Sequence, residues 1–215
     1  MKYAVICAGG PEVCELTEYR EDETVFIGAD RGALYLLENG IVPKEAVGDF
    51  DSISKKEYEL IVSSVDVVGQ FRSEKNETDT ELAVERALSY KPKHVVLTGV
   101  TGGRLDHTES ALHLLYRLQI EHPDISFSIR NRTNELSMLL PYTYEIERDD
   151  KFPYVSFFPF GGKVAGLTLT GFKYETDDAT LKTGMTMFTS NETASEICTI
   201  FFREGICLMV RSSDA

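Results

Sequence analysis

The sequence predicts an α/β protein: an N-terminal, mostly parallel α/β/α sandwich followed by a C-terminal antiparallel β-sandwich. Three observations carry this reading. Over roughly the first 130 residues, short apolar runs alternate with helically spaced segments. After about Arg132 the helical spacing stops, and short strand-like runs follow one another, punctuated by Gly161-Gly162, Gly171, Gly184 and Gly205. The composition is ordinary for a globular chain, with 42% hydrophobic and 27% charged residues over 215 positions, enough to bury a core.

In the first half, residues 3–7, 24–29, 46–48, 65–68, 95–100 and 127–129 read as strands. Between them, 31–39, 55–64, 80–90 and 105–120 carry helical spacing. In the last of these, Leu105, Leu112, Leu115 and Leu118 approximate one apolar face. Such alternation argues for a mostly parallel sheet covered by helices, with ligands bound beyond the carboxyl ends of its strands. In the second half, 142–146, 154–158, 167–169, 185–188, 197–202 and 206–210 read as strands, with Asp149-Asp150 and Asp177-Asp178 in turns. The expected domains are residues 1–135 and 136–215. The second, at about 80 residues, is marginal as an isolated sandwich.

Net charge is −13, from 35 acids against 22 bases. That field repels a nucleic-acid backbone and tolerates a cationic small substrate, although solubility alone explains acidity in many proteins. Cys7, Cys14, Cys198 and Cys207 form no C-x-x-C pair and have no histidine spaced for zinc. They read as reduced thiols of a cytoplasmic protein. The first apolar run is too short for a signal peptide and is followed by Glu12, Glu15 and Glu18; no stretch approaches a membrane span.

The informative residues lie where strands end. Gly48-Asp49-Phe50-Asp51-Ser52 follows a short apolar run and precedes a helix that Ser52 or Ser54 can cap. Two carboxylates at the end of a buried strand, with no base nearby in sequence, suit a hard cation such as Mg2+. The alternative is an aspartate turn with a helix cap. Thr78 and Glu81 have the spacing of a capping box, which puts Asp79 in the first helical turn. Asp79 reads as a helix-start residue or as a third carboxylate on the edge that holds Asp49 and Asp51.

Thr98-Gly99-Val100-Thr101-Gly102-Gly103-Arg104-Leu105-Asp106 runs from strand to helix through three glycines. Glycines let the backbone approach a phosphate, and Arg104 adds a permanently charged, planar clamp. Asp106 can complete a metal shell or accept a proton. The alternative is a glycine turn with a surface Arg–Asp pair. Asp30 and Arg31 close the second strand, where Asp30 can face the ligand edge and Arg31 can reach phosphate. Lys75 is a further cation before Asp79.

Taken together, these stretches resemble the thiamine pyrophosphokinases, especially the bacterial form. The matching segments are Gly28 to Ala33, Val47 to Ser52, Lys75 to Ala83 and Thr101 to Thr108, then Val155 to Pro159, Gly166 to Tyr174 and Ser190-Asn191-Glu192. They span nearly the whole chain in order. The resemblance implies a homodimer with ATP and Mg2+ on the first domain and thiamine in a cleft completed by the partner's β-sandwich. It implies Asp49, Asp51, Asp79 and Asp106 as the catalytic set, the first three of them as metal ligands. Asp30, Arg31, Lys75, Gly102, Gly103 and Arg104 then serve ATP, and Ser190 and Asn191 serve thiamine.

Two departures stand out. Many relatives have an asparagine where this chain has Ala111, and some place a tryptophan near thiamine where this chain has none. Phe157, Phe158 or Phe188 is the aromatic substitute the sequence offers. The rivals are a nucleotide-sugar transferase using Asp49 and Asp51, a phosphatase with Asp49 as nucleophile, and a non-catalytic nucleotide-sensing module.

Overall fold

The structure is a computed structural model, and it describes residues 1–20, 23–70 and 77–214. It divides into two compact units. Met1–Arg117 with Asp124–Arg132 form the first; Leu118–Pro123 with Thr133–Ala215 form the second.

The first unit contains β1 (Tyr3–Cys7), β2 (Thr24–Ala29), α1 (Arg31–Glu38), β3 (Glu45–Gly48), α2 (Lys55–Ser64), β4 (Val67–Gln70), α3 (Asp79–Leu88) and β5 (His94–Thr98). The long helix α4 (Leu105–Glu121) and strand β6 (Ser126–Arg130) follow. The six strands lie in the order β4-β3-β2-β1-β5-β6, and every pairing between them is parallel. Both faces are covered. Val5, Cys7 and Val96 pack with Leu36 of α1, while the alternate residues Ala4, Ile6 and Leu97 are equally buried. That is why these strands read as continuous apolar runs. A second cluster joins Ala33 and Leu34 of α1 to Ala46, Phe50, Ile61 and Val65.

Chain order reverses direction across the sheet between β1 and β5, so the loops after these two strands diverge there. This is the topological switch point at which parallel sheets bind ligands. Capping boxes start two helices. Ser54 and Glu57 satisfy each other's backbone at α2, and Thr78 and Glu81 do so at α3. The strand expected at 65–68 begins two residues later. Val65 instead ends α2, its N–H donating to the Ile61 carbonyl at 2.9 Å while its side chain is buried.

The second unit is antiparallel and holds β7 (Asn134–Leu139), β8 (Thr143–Glu147), β9 (Tyr154–Thr170), β10 (Thr176–Leu181), β11 (Asn191–Glu192), β12 (Ile197–Phe201) and β13 (Glu204–Ser212). β9 does the work of two strands. Its first part pairs β13 and β11, and its last part pairs β12 and β10. One core cluster draws Val155 and Phe157 from the first part, Val164, Leu167 and Leu169 from beyond Gly161-Gly162, and Ile146, Ile200 and Met209 from the neighbours. Two separate strands at 154–158 and 167–169 were the expectation; the chain stays extended as one strand, and its pairing with β13 shifts register across the glycine pair, from Phe160 opposite Ile206 to Ala165 opposite Glu204.

Residues 185–188 differ from the expected strand. They lie in turns, with Met185 N–H bonding the Lys182 carbonyl at 3.0 Å and Thr189 N–H bonding the Thr186 carbonyl at 3.1 Å. Phe188 alone enters the core while Met187 is 62% exposed, so a local apolar run does not make a sheet. β7, β10 and the two-residue β11 are additional to the expected strands.

Candidate active site

The carboxyl edge of the first unit gathers the acidic residues. Asp30 follows β2 and precedes α1 in a strained conformation, φ 49° and ψ −123°. Its N–H donates to the Val47 carbonyl at 2.8 Å, which fixes the end of β2 to the end of β3. Gly48, at φ 153°, makes room for this approach, because a Cβ there would stand 3.1 Å from the Asp30 Cα. The Ser52 hydroxyl donates to Asp30 Oδ2 at 2.5 Å. Asp30 Oδ1 is buried and has no hydrogen-bond partner among the described residues.

Burial is the largest influence on the Asp30 carboxyl and pushes its pKa up. The hydrogen bond from Ser52 and the neighbouring Arg31 backbone oppose the shift, the charges of Asp79 and Asp49 add to it, and the net direction is upward. Asp30, Asp49 and Asp79 therefore share one electrostatic neighbourhood. Asp49 Oδ1 accepts from the Asp51 N–H at 3.2 Å, an Asx turn that bends the backbone at Phe50 (φ 58°) while the Phe50 ring is buried. The bend takes Asp49 and Asp51 out of the extended form in which residues i and i+2 alternate with their neighbour across a strand. Asp79 opens α3, where the Thr78 hydroxyl already accepts from the Glu81 N–H and the Glu81 carboxylate from the Thr78 N–H. Its carboxylate is thus not required as the cap.

At the end of β5, Arg104 grips Asp106 with two hydrogen bonds, Nε to Oδ1 at 3.1 Å and Nη2 to Oδ2 at 2.5 Å. The guanidinium holds the Asp106 carboxyl below its ordinary value. Both side chains are exposed, so the pair contributes little to stability and remains open to exchange with another anion. Arg31 starts α1 against the loop after β1, where a Cβ on Gly9 would lie 3.1 Å from the Arg31 Cβ. Lys75 lies outside the described residues.

In the second unit, Ser190 is exposed with φ 56°, and its N–H donates to Ser156 Oγ at 2.9 Å. Asn191 is 1% exposed. Its Oδ1 accepts from the Tyr174 and Glu192 N–H groups, both at 2.9 Å, and its Nδ2 donates to the Tyr174 carbonyl at 2.8 Å. The Asn191 amide therefore fixes the Tyr174 backbone. Of the aromatics named from sequence, Phe157 and Phe188 are core residues.

Comparison with known proteins decides the family. The model for the thiamin pyrophosphokinase catalytic domain matches residues 16–127, and that for the thiamin pyrophosphokinase vitamin B1 binding domain matches residues 143–207. The chain belongs to the thiamine pyrophosphokinase family. A thiamine pyrophosphokinase of Bacillus subtilis (strain 168) is 38% identical over 216 residues, covering all of both chains. Its crystal structure matches with a TM-score of 0.93 over the full length of each chain. The thiamin pyrophosphokinase of Geobacillus thermodenitrificans matches at 0.88 with 36% identity, over 100% of this chain and 99% of that one. The Candida albicans thiamin pyrophosphokinase, 16% identical, shares the fold at a TM-score of 0.83, over 99% of this chain and 89% of that one.

Within this family fold, the sequence reading passed over the loop after β1. Gly10 N–H bonds the Gly99 carbonyl at 2.6 Å, and Glu12 forms a bridge with Thr101. Gly9-Gly10 directly after an apolar strand was the available signal. The four cysteines are free and buried, and burial pushes the thiols of Cys7 and Cys207 up to about 12. No described helix is long and apolar enough to cross a membrane.

Proposed function

We propose that this chain transfers the pyrophosphoryl group of ATP to the hydroxyl of thiamine, giving thiamine diphosphate and AMP, on the acidic edge of its first unit. What supports the assignment of the site is that Asp30, Asp49 and Asp79 stand at the ends of β2 and β3 and the start of α3, with the charges of Asp79 and Asp49 both acting on the Asp30 carboxyl. The glycine loop with Arg104 lies on the same edge of the sheet, at the end of β5.

Phosphoryl-type transfer asks the protein for positioning and charge neutralisation rather than covalent chemistry. The thiamine hydroxyl attacks the β-phosphorus, the bond from that phosphorus to the bridging α-oxygen breaks, and AMP leaves with the electron pair. The hydroxyl proton passes to a carboxylate of the acidic edge. Arg104 meets the phosphates through its guanidinium, and Asp106 holds that guanidinium in plane beforehand. Arg31 faces the same edge from the start of α1.

Clustered carboxylates repel a polyphosphate unless a cation lies between them. Oxygen donors alone, one of them the unpartnered Asp30 Oδ1, fit a hard divalent ion. No three His, Cys, Asp or Glu side chains among the described residues form a ready metal cage. Mg2+ takes one or two carboxylates together with water and substrate phosphates. Asp49, Asp51 and Asp79 are the candidates to supply those one or two carboxylates, and the ion's chemistry there would be neutralisation of phosphate charge.

Thiamine is cationic, which agrees with a chain of net charge −13. In the second unit, Ser190 is the exposed group offered to thiamine, while Asn191 acts through the backbone it fixes. The assembly belonging to this reading is a cytoplasmic homodimer, tested by molecular mass in solution. The reaction is tested by incubating the chain with ATP and thiamine. Thiamine diphosphate should form with Mg2+, stop on chelation and resume when Mg2+ is restored. Formation undiminished by chelator would remove the metal from the account.

A further inference from the structure

Three loops of the first unit meet at the switch point, and their joint carries a consequence for ATP. Strands β1, β5 and β6 are neighbours in the parallel sheet, so their carboxyl ends emerge side by side at about 5 Å spacing. Glu12 comes from the loop after β1, Thr101 from the loop after β5, and Asn131 directly follows β6. Their side chains close a ring of hydrogen bonds. The Thr101 hydroxyl donates to Glu12 Oε2 at 2.8 Å, and Asn131 Nδ2 donates to the same oxygen at 2.8 Å and to Thr101 Oγ1 at 2.9 Å. The backbone adds a bridge between Glu12 and Thr101, and the Gly99 N–H donates to the Glu12 carbonyl at 3.0 Å.

The Glu12 stem also explains a glycine. A Cβ on Gly102 would fall 2.3 Å from Glu12 Cγ and 2.5 Å from its Cδ, and Gly102 stands at φ 80°. The turn is folded directly onto the Glu12 side chain. Asn131 is 3% exposed, and an amide so buried is held at full strength because its alternative is an unsatisfied polar group.

We propose that Glu12 and Asn131 are positioning residues for the phosphate loop Thr101–Arg104, setting its backbone for ATP without touching the nucleotide. The proposal rests on the reading of that loop as the phosphate site. An acceptor-only carboxylate is suited to the ring centre, since one oxygen takes two donors from two different loops. Displacing a loop by a fraction of an ångström degrades an aligned set of donors more than it degrades the fold.

The test is binding of α,β-methylene-ATP with Mg2+, measured by calorimetry without thiamine, together with steady-state kinetics. Glu12→Ala and Asn131→Ala should weaken the analogue and raise the KM for ATP by about tenfold or more, leaving the KM for thiamine unchanged. Glu12→Gln keeps the stem and an accepting oxygen, so it should retain most of the affinity. Thr101→Val added to Glu12→Ala should cost less than the sum of the two single changes. Glu12 is exposed, so its variants stay informative if Asn131→Ala fails to fold. Wild-type affinity in a folded Glu12→Ala, or equal rises in both KM values, would overturn the proposal. If the wild-type chain binds the analogue but forms no thiamine diphosphate, the reaction assignment fails and this inference stands. If the wild-type chain does not bind the analogue, both fail.

Discussion

The Ser52 hydroxyl donates to the Asp30 carboxylate across the gap between two strand ends, leaving the second Asp30 oxygen buried and unpartnered. A buried carboxylate oxygen without a partner costs stability. Burial raises the Asp30 pKa, so the native state binds its proton more tightly than the unfolded chain does. Its favourable contribution is complete below the unfolded value and is lost as pH rises through the higher native value. At neutral pH the ionised group therefore works against folding. Asp30→Asn, whose side chain tolerates positive φ, should raise Tm at pH 7 and lower turnover by about 10²-fold. The gain in Tm should shrink as pH falls toward 4. A variant less stable than wild type at pH 7 would contradict this.

Asp51→Asn and Asp79→Asn should each reduce turnover by at least about 10²-fold, as loss of one strong electrostatic group does. The capping box of Thr78 and Glu81 already serves the start of α3. Asp79→Asn should therefore cost only a few tenths of a kcal/mol in chemical denaturation, whereas Thr78→Ala should cost about 1 kcal/mol. Near-normal turnover in Asp79→Asn would return Asp79 to a helix-start role.

Glu45 in β3 is 2% exposed and accepts from Arg86 Nε at 2.5 Å and Tyr90 OH at 2.6 Å. Burial pushes its carboxyl up, but the hydrogen bonds from Arg86 and Tyr90 outweigh it, and the net pKa is lowered. Its contribution to stability is present above the unfolded value and lost as pH falls through the lower native one. Arg86→Leu strands a buried acceptor and should cost about 1–3 kcal/mol in urea unfolding at pH 7. The loss should narrow in acid.

Asn191→Ala should destabilise the second unit by about 1–3 kcal/mol, because it removes hydrogen bonds to the backbone of Tyr174 and Glu192. Ser190→Ala should leave stability near wild type and raise the KM for thiamine. Unfolding curves and thiamine titrations of the two variants separate the roles. An unchanged thiamine KM in Ser190→Ala would remove Ser190 from the substrate contacts.

What the sequence shows and what it hides follow from how each element is held. Parallel strands buried on both faces announce themselves, and β1 and β2 were readable to the residue. So was α2, with a capping box at its start. β10 was hidden because Asp177 and Asp178 look like a turn; its register against β9 shifts, and Asp178 takes φ 51°. Glu45 was hidden because its burial depends on Arg86, 41 positions away. The Glu12–Thr101–Asn131 ring joins residues 89 and 119 positions apart, and no local pattern encodes such pairings. The acidic loops were visible because strand ends before helices are local features, but which carboxylate is buried depends on the packing around it.

Transfer of a pyrophosphoryl group rather than a single phosphoryl group leaves its mark on the nucleotide product. The chain is incubated with ATP, Mg2+ and thiamine, and the products are separated by chromatography. AMP and thiamine diphosphate should appear in equal amounts, with no thiamine monophosphate on the way. Stoichiometric ADP with thiamine monophosphate would contradict it.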